Sequence, residues 1–329
     1  MRYYLRKLGF FLLTLWAVVT LNFVIPRIAP GDPAEIMVQR LAGKNAQLDQ
    51  AQVQAMRDLL GTPTGSLPAQ YLQYLGQLFR GDLGLSYNYY PFKVTEVIGQ
   101  AFWWTLVLVT VVQVLSFVIG VLLGAFAAWK RNGRFDTTVT LVSTFLGTLN
   151  SFWIALLLII GLGYGLGWFA TSGGYEQSTP GFNWPFVYDA ISHAFLPALT
   201  LMIITPVGWV LGMRNTMVLN LGEDYIKLAK AKGLPDRVVA LRYAARNALL
   251  PSVTGFALAL GGVLGGTILV ETVFDYPGLG RLMGEAVGVK DYPLLQALML
   301  LTAVATLVAN LVADLLYGVL DPRVRRAQS

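Results

Sequence analysis

The residues of this chain whose types and spacing could do chemistry are concentrated in one polar stretch, residues 223–251, which we call the 223–251 loop. It lies between two apolar runs and carries six basic residues: Lys227, Lys230, Lys232, Arg237, Arg242 and Arg246. Arg242 and Arg246 are four residues apart, which places both guanidinium groups on one face of a helix. A first interpretation is that this basic, amphipathic loop lies on anionic lipid.

Within the loop, the sequence predicts two short helices separated by a glycine. Ala229 and Ala231 lead to Gly233, whose missing Cβ suits the left-handed residue that ends a helix. Pro235 follows where a first helical residue is expected, because its absent N–H would be unpaired there anyway. The second helix has an apolar face at helical spacing, made of Val238, Leu241, Ala245 and Leu249.

Catalytic and metal-binding motifs are missing from the sequence. There is no G-x-x-x-x-G-K-[ST] phosphate-binding loop, so the chain should not hydrolyse ATP itself. It has no cysteine, and its one histidine, His193, is expected to make an interfacial hydrogen bond. A His-based triad and a zinc site within the chain therefore lack residues. We expect no catalytic residue, no metal and no cofactor bound by this chain.

Composition predicts an all-α integral membrane protein. Of the 329 residues, 55% are hydrophobic and 13% are charged, whereas soluble domains average about 25% charged residues. The net charge of +6 does not indicate nucleic acid, because the placement of Lys and Arg carries the information in a membrane protein. The partner that composition indicates is the lipid bilayer.

Six apolar runs could each cross a bilayer, which takes about 20 apolar residues. They cover residues 9–25, 102–129, 139–168, 195–213, 253–270 and 294–320. The first could instead be a signal peptide, since basic residues precede it. We interpret it as a retained helix, because the run is long for a signal peptide and no small-x-small cleavage pattern follows it.

Prolines and glycines predict local features of these runs. Pro197 and Pro206 predict a kinked or broken fourth span. Gly120 and Gly124 form a small-xxx-small pair that permits close contact of the second span with another helix. The fifth span is expected to use its glycines in the same way: Gly261, Gly262, Gly265 and Gly266.

Basic residues predict the orientation of the six spans, because short cytoplasmic loops are enriched in Lys and Arg. With the amino terminus inside, the inner segments hold sixteen of the 24 Lys and Arg residues. Five of the remaining residues lie within the long segment 30–100, where the rule has least force. Both termini and the 223–251 loop are therefore predicted to be cytoplasmic.

Three segments are expected. Residues 1–29 form the amino-terminal tail and first transmembrane helix, residues 30–100 an extracytoplasmic segment with short helices, and residues 101–329 a five-helix core with a cytoplasmic loop at 215–251. The extracytoplasmic segment has an aromatic cluster that fits an interfacial belt or a contact with substrate: Tyr87, Tyr89, Tyr90 and Phe92.

Ionisable residues at membrane depth indicate functional positions by default. Arg214, at the inner end of the fourth span, is expected to reach lipid headgroups or the inner mouth of a pathway. Glu271 and Asp275 flank the outer end of the fifth span. Asp314 lies inside the sixth span, four residues after Asn310. A structural polar pair with a neighbouring helix and a position lining the pathway are both open for it.

The 223–251 loop resembles the EAA loop of ABC-importer permeases, in the dipeptide/oligopeptide branch. The matching residues are Asp224, Tyr225, Ala229, Ala231, Lys232, Gly233, Arg246, Asn247, Leu250 and Pro251. The family motif begins Glu-Ala-Ala where this chain has Lys227-Leu228-Ala229, so the glutamate contact of other importers is unavailable. Four further blocks resemble the family in the same order: APGDP at 29–33, RGDLGLS at 80–86, ETVFDYPGLG at 271–280 and LDPRVR at 320–325.

The resemblance implies a type I ABC-importer permease architecture in the cell inner membrane. It implies that the loop is cytoplasmic and docks on an ATPase subunit, with ATP–Mg held by two such partner subunits. A second permease, most simply in a heterodimer, and an extracytoplasmic substrate-binding protein complete the expected assembly. The outer segment after the fifth span then supplies possible pathway or gate residues, together with Asp314 of the sixth span: Asp275, Tyr276, Pro277 and Gly278.

The resemblance also implies a solute that is a di- or oligopeptide, with nickel chelates or oligosaccharides as alternatives. A secondary transporter driven by an ion gradient is the rival outside the family. It is disfavoured because no internal repeat is visible and a proton relay would need more buried carboxylates than Asp314. A membrane enzyme lacks a motif, and a scaffold for other membrane proteins would show no ATP-dependent flux.

Overall fold

A computed structural model describes residues 2–28, 50–60, 66–176, 180–181, 183–261 and 267–320, together with Glu35 and Val38. Side chains are described in these ranges except at residues 2–8, 26–27, 58, 60, 261 and 313–320. The described residues are mostly helical, and the only β pairing among them is an isolated bridge between Leu85 and Lys93. The prediction of an all-α protein is confirmed for this part of the chain.

The helices are numbered in chain order. They are α1 (Arg2–Ile28), α2 (Gln50–Leu60), α3 (Leu67–Phe79), α4 (Val94–Trp129), α5 (Arg134–Thr148), α6 (Ser151–Leu158), α7 (Trp184–Leu221), α8 (Asp224–Ala231), α9 (Asp236–Val238), α10 (Arg246–Gly261), α11 (Ile268–Val273), α12 (Leu279–Val289) and α13 (Tyr292–Leu320). Two π-helical turns, Ile159–Gly165 and Val239–Ala245, extend α6 and join α9 to α10.

The chain forms two compact units. The first combines Met1–Trp104 with Gly278–Leu307, and the second combines Thr105–Pro277 with Val308–Ser329. The 223–251 loop lies wholly within the second unit.

Three helices are long and apolar enough to cross a membrane within the described part of the chain: α4, α7 and residues Tyr292–Val312 of α13. They confirm the helices predicted for the second, fourth and sixth spans. A shorter apolar stretch, Gly9–Ile25, lies in α1 at the place of the predicted first span.

The third predicted span, residues 139–168, is sharply bent. The segments α5 and α6 meet at an angle of 95°. Leu149 adopts an extended conformation, and the side chain of Asn150 accepts a hydrogen bond from Phe152 N at 2.9 Å. Asn150 is thereby the amino-terminal cap of a new helix. An apolar composition does not reveal such a cap, so the bend was not predicted.

The fourth span is longer than predicted and is unbroken. Helix α7 begins at Trp184, where Asn183 accepts a hydrogen bond from Phe186 N at 2.8 Å, and it has 38 residues. Pro197 and Pro206 both lie inside it. Each proline removes one backbone hydrogen bond, but neither ends the helix, so the predicted break does not occur.

The fifth predicted span, residues 253–270, is not one uninterrupted helix. Helix α10 ends at Gly261, and α11 begins at Ile268 after the non-helical Thr267. The predicted packing glycines Gly262, Gly265 and Gly266 lie outside the described residues.

Two glycines bring α4 close to α7. A Cβ atom on Gly120 would lie 2.5 Å from the Cβ of Trp209 and 2.9 Å from the carbonyl oxygen of Pro206. A Cβ atom on Gly124 would lie 3.0 Å from the Cβ of Met213 and closer still to the α7 backbone. The small-xxx-small pair therefore makes the close helix contact predicted for it.

In the first unit, Asp291 holds the start of α13. Its carboxylate accepts hydrogen bonds from Leu294 N at 3.2 Å, Ser86 Oγ at 2.5 Å and Asn88 N at 2.9 Å. Asp291 is fully buried. One carboxylate therefore caps α13 and fixes the turn at residues 86–88. A buried carboxylate needs hydrogen-bond partners of this kind.

The aromatic cluster at residues 87–92 is only partly exposed. Tyr89 donates a hydrogen bond to Glu285, which also accepts from Arg281 Nε at 2.8 Å. Burial, and then this hydrogen bond, raise the pKa of Tyr89 to about 12, so the phenol stays protonated at neutral pH. Tyr90 and Phe92 are exposed.

We expect Gly124→Val to lower the melting temperature of the purified chain in detergent, because a branched side chain has no room against α7. Overpacking of this kind costs about 1–3 kcal/mol. Gly208→Ala is the matched control, since no atom lies within 4 Å of its Cβ position. That change should leave the melting temperature equal or slightly higher. Equal melting temperatures for both variants would contradict the α4–α7 contact.

Candidate functional site

The first helix of the 223–251 loop, α8, ends as the sequence predicts. Gly233 has φ of +73°, the left-handed conformation that favours glycine. Its N–H donates to the carbonyl oxygen of Lys230 at 2.9 Å. At the other end of α8, Asp224 and Lys227 form an ion pair of 2.8 Å on exposed side chains. Because both are solvated, this pair contributes little to stability.

The second helix differs from the prediction in its start and its length. Pro235 is the capping residue, and its carbonyl oxygen accepts from Val238 N at 2.9 Å and Val239 N at 3.1 Å. The helical path then continues through α9, the π-helical turn and α10 to Gly261. The second half of the loop is therefore continuous with the helix of the fifth span.

Small apolar residues hold both helices of the loop against α7. We call this cluster the loop core. It is formed by Ala128 of α4, two methionines of α7 and six residues of the loop: Met213, Met217, Ile226, Ala229, Val239, Ala240, Ala244 and Ala248. All nine residues are buried. The alanines leave room for the loop helices to lie close to α7, and apolar burial is the term that holds them there.

The apolar face predicted for the second helix was wrong. Leu241, predicted to lie on it, is 62% exposed, whereas Ala240 and Ala244 are buried. The reason is the π-helical turn at Val239–Ala245. Its wider i→i+5 repeat carries Val239 and Ala244 to the same side, although they are five residues apart. A pattern counted at 3.6 residues per turn misses this rotation.

On the side away from the loop core is an open groove of about 580 Å³. We call it the cationic groove, and its lining residues are Tyr225, Arg242, Tyr243, Arg246, Asn247 and Leu250. Asn247 Nδ2 donates to Tyr225 Oη at 3.2 Å, which ties α8 to α10. The prediction that Arg242 and Arg246 share a face is confirmed, since both line the groove.

The predicted coupling residues fall into two sets in the structure. Three of them meet at the cationic groove: Tyr225, Arg246 and Asn247. The others lie elsewhere: Asp224, Ala231, Lys232 and Gly233 are exposed on or after α8, Pro251 is exposed within α10, and Ala229 is buried in the loop core. Ala229 therefore positions α8 and cannot contact a partner directly.

The groove has the chemistry of a protein-binding surface. Two guanidinium groups favour carboxylates, which they can bind through several N–H donors at once. The two tyrosine rings and Leu250 add apolar contact area. The described residues that line the groove include neither a histidine nor a carboxylate.

The structure gives Arg214 a partner that sequence reasoning missed. Its Nε donates to Asp136 Oδ1 at 2.6 Å and its Nη2 to Oδ2 at 2.9 Å. Asp136 is 3% exposed and also accepts from Asn132 N at 3.0 Å. The guanidinium group of Arg214 is therefore paired with a buried carboxylate. The sequence held one indication of this pair. Asp136 is the only acidic residue in residues 130–136, which carry three basic residues: Lys130, Arg131 and Arg134.

Glu271, at the outer end of the predicted fifth span, is fully buried. Its Oε1 accepts hydrogen bonds from Thr105 Oγ1 at 2.9 Å and Thr267 Oγ1 at 2.8 Å. Its backbone carbonyl accepts from Tyr276 N at 2.9 Å. The carboxylate thus joins α4 to α11, and the backbone carbonyl fixes the turn that follows α11.

The predicted gate residues occupy different environments. Asp275 is exposed with φ of +50°, Pro277 is half-buried, and Gly278 is buried. Tyr276 is 2% exposed, and burial, followed by the charge of Glu271, raises its pKa. The side chain of Asp314 lies outside the described residues.

His193 makes a hydrogen bond close to the start of α7. Its Nδ1 lies 3.0 Å from Asp189 Oδ1 and 2.9 Å from the Asp189 carbonyl oxygen. Asp189 also accepts from Glu176 N at 3.0 Å. His193 therefore helps to fix the segment that precedes α7.

A family model described as "Binding-protein-dependent transport system inner membrane component" matches residues 120–326. This match covers the 223–251 loop, the loop core and the cationic groove. It also covers α5, α7 and the segment around Glu271.

Several curated proteins are similar along nearly the whole chain. The oligopeptide transport system permease protein AppB of Bacillus subtilis (strain 168) is 34% identical over 98% of both chains. The dipeptide transport system permease protein DppB of Escherichia coli (strain K12) is 34% identical over 99% of both. The di/tripeptide transport system permease protein DppB of Pseudomonas aeruginosa (strain UCBPP-PA14) is 35% identical over 97% of both.

We expect Ala244→Leu to loosen the 223–251 loop, because Ala244 is fully buried and overpacking costs about 1–3 kcal/mol. Hydrogen exchange of peptides from the loop measures this directly. Leu241→Ala is the control and should change exchange little, since exposed substitutions stay within about 0.5 kcal/mol. A larger change in hydrogen exchange from Leu241→Ala than from Ala244→Leu would show that the face predicted from 3.6-residue spacing is the one that packs.

We expect Glu271→Ala to lower the melting temperature more than Glu271→Gln. Alanine leaves the hydroxyls of Thr105 and Thr267 without this buried acceptor, which costs about 1–3 kcal/mol. Glutamine keeps an Oε1 in place to accept from both. Thermal unfolding of the two purified variants makes the comparison, and a loss of equal size from both would show that the hydroxyl contacts are not what matters.

Proposed function

This chain belongs to the family of binding-protein-dependent transport system inner membrane components, and on that premise we propose that ATP hydrolysed by partner subunits moves it through the 223–251 loop. It is a permease subunit of an ABC importer. The observation that carries the proposal is the cationic groove, an exposed binding surface built on a helix that continues into the fifth span.

The proposed topology has six transmembrane spans with both termini in the cytoplasm, the type I permease architecture. Helices α1, α4, α7 and α13 supply four of the spans. The bent pair of α5 and α6 supplies the third in chain order, and α10 with α11 supplies the fifth. The distribution of basic residues supports this orientation, since sixteen of 24 then lie on the cytoplasmic side.

An ATP-binding subunit is the proposed occupant of the cationic groove. Its carboxylates would pair with Arg242 and Arg246, and its apolar side chains would pack on Tyr225 and Leu250. The buried alanines beneath the groove make the loop follow α7 when it is displaced, because close-packed interiors transmit strain. Asp224 at the start of α8, and Ala231, Lys232 and Gly233 at its end, are exposed and would extend this contact.

Coupling requires that docking differ in free energy between the inward-facing and outward-facing states, since otherwise ATP binding shifts nothing. The two ATP-binding subunits, each holding ATP–Mg, move toward each other. The docked loops move with them. The continuity of the loop with α10 gives that displacement a direct route into the fifth span. No ATP site within this chain is needed for the step.

The solute pathway is proposed to lie between this chain and a second, related permease in a heterodimer. An extracytoplasmic substrate-binding protein delivers the solute to it. The segment after the fifth span would then act as a gate, with Asp275, Tyr276, Pro277 and Gly278 moving between states. Asp314 remains a proposed lining position from the sixth span.

The proposed solute is a di- or oligopeptide, because the relatives named above are dipeptide, di/tripeptide and oligopeptide permeases. Nickel chelates and oligosaccharides are the alternatives. Ligand screening of the substrate-binding protein that co-purifies with this chain decides among them. Binding of a metal chelate or sugar in place of peptides would overturn the peptide assignment while leaving the importer assignment intact.

We expect Arg246→Glu to abolish productive contact with the ATP-binding subunits, because the reversed charge repels the carboxylates that the groove attracts. Like-charge contacts in an interface cost several kcal/mol. The measurement is ATP-driven uptake together with co-purification of the ATP-binding subunits. Gly233→Pro should also uncouple uptake, since proline cannot adopt the left-handed turn after α8.

Arg237→Glu is the matched control, with the same charge reversal at an exposed position of the loop that does not line the groove. It should keep most of the uptake. Full ATP-driven uptake by Arg246→Glu would show that the groove is not the coupling surface. Wild-type chain that transports without any ATP-binding subunit would overturn the proposed function itself.

A further inference from the structure

The ion pair between Asp136 and Arg214 joins two helices that also pack against each other at Gly147 and Val207. Asp136 lies in the first turn of α5, and Arg214 lies near the carboxyl-terminal end of α7. Both guanidinium contacts are short, 2.6 Å and 2.9 Å. Two parallel N–H···O bonds fix the relative orientation of the partners as well as their distance. The pair is therefore a rigid link between α5 and α7.

Apolar packing between the two helices lies at the far end of α5 from this pair, where a Cβ atom on Gly147 would lie 3.1 Å from Val207 Cγ1. The fully buried residues of α5 are Asp136 and Ser143, both polar. Three of its large apolar side chains face outward, with Leu141 66%, Val142 50% and Phe145 64% exposed. The 95° bend after α5 also means that α6 cannot hold it in line as a continuous helix would. The carboxylate of Asp136 thus anchors the start of α5 to α7.

On the α7 side, the pair adjoins the loop core. Arg214 directly follows Met213 and lies three residues before Met217, and both methionines are buried in that core. The same turn of α7 is fixed to α4 through Gly124. A displacement of α8 that moves the methionines therefore moves Arg214 with them. From Arg214, the only strong contact toward α5 in the described structure is the carboxylate of Asp136.

We propose that Asp136 and Arg214 are positioning residues that carry the displacement of the 223–251 loop from α7 to α5. This inference rests on the proposed function, because it assumes that the loop is driven by ATP. The pair makes α5 move with α7 in both states of the transport cycle. Its loss leaves the loop docked and α7 mobile, while α5 no longer follows.

A simple contribution to stability does not account for a pair of this kind. Removing two charges from water costs more than many ion pairs return, so apolar residues in their place would often be at least as stable. What an ion pair adds is a defined geometry, and arginine provides a planar fork that lysine lacks. The shape of the guanidinium group, beyond its charge, is therefore predicted to matter.

Spin-label distances test the proposal without any transported solute. The chain has no cysteine, so Val142→Cys on α5 and Leu219→Cys on α7 add two defined labels at exposed positions. The distance between the two labels is measured in the complete transporter, first without nucleotide and then with ATP trapped on the ATP-binding subunits. With the ion pair intact, the distance between the labels should be the same in both states. With Arg214→Lys or Asp136→Asn, it should differ between the two states.

Reconstituted complex provides the second readout, the number of alanine tripeptides taken up per ATP hydrolysed. We expect Arg214→Lys and Asp136→Asn to lower this ratio about tenfold, within the usual range of coupling free energies. The double variant should be no worse than the single ones, since residues that act as a pair are not additive. Arg131→Lys, at an exposed position of the adjacent turn, is the control and should keep the ratio.

The possible results separate the inference from the proposed function. A label distance that stays independent of nucleotide in the variants, or that shifts equally in both states, would mean that the pair is only structural. An unchanged ratio with a lowered melting temperature would say the same. A wild-type complex that hydrolyses no ATP and shows no nucleotide-dependent change elsewhere in the loop would instead refute the proposed function.

Discussion

The fit of small side chains between the 223–251 loop and the carboxyl-terminal end of α7 is the constraint on which the rest depends. A polar, basic segment has little apolar area of its own, and it can be held in a fixed position only if its few apolar residues all reach the same surface. Ile226, Ala229 and Ala244 do so, and the small volume of the two alanines lets two helices pack on one. Larger residues would force the loop away from α7.

That packing explains why the groove is exposed. The π-helical turn directs Val239 and Ala244 toward α7, which leaves Arg242 and Arg246 on the open side with Tyr225. π-helical turns are rare and are frequent at functional sites. The turn therefore provides apolar residues for the loop core and one charged residue, Arg242, for a partner from the same seven-residue segment.

Sequence reasoning succeeded where a local rule decides the structure and failed where a distant contact does. Apolar runs placed the long helices, and Gly233 marked the end of α8, because each depends on neighbouring residues. The rotated face of the second helix was missed because a fixed 3.6-residue period was assumed. The ion pair of Asp136 with Arg214 spans 78 residues of sequence, and no pattern within one segment encodes it.

Between the groove and the membrane helices, rigid side-chain contacts alternate with breaks in the helices. The loop core, the contact at Gly124 and the ion pair at Asp136 are stiff, because each is either close-packed or bound in two places. The bend at Leu149 and the non-helical Thr267 interrupt the third and fifth spans. A displacement imposed at one end is carried by stiff contacts and is taken up where the backbone hydrogen bonds are already broken. The first halves of these two spans, α5 and α10, are thus tied to the loop through α7 and the loop core, while α11 is held to α4 by Glu271.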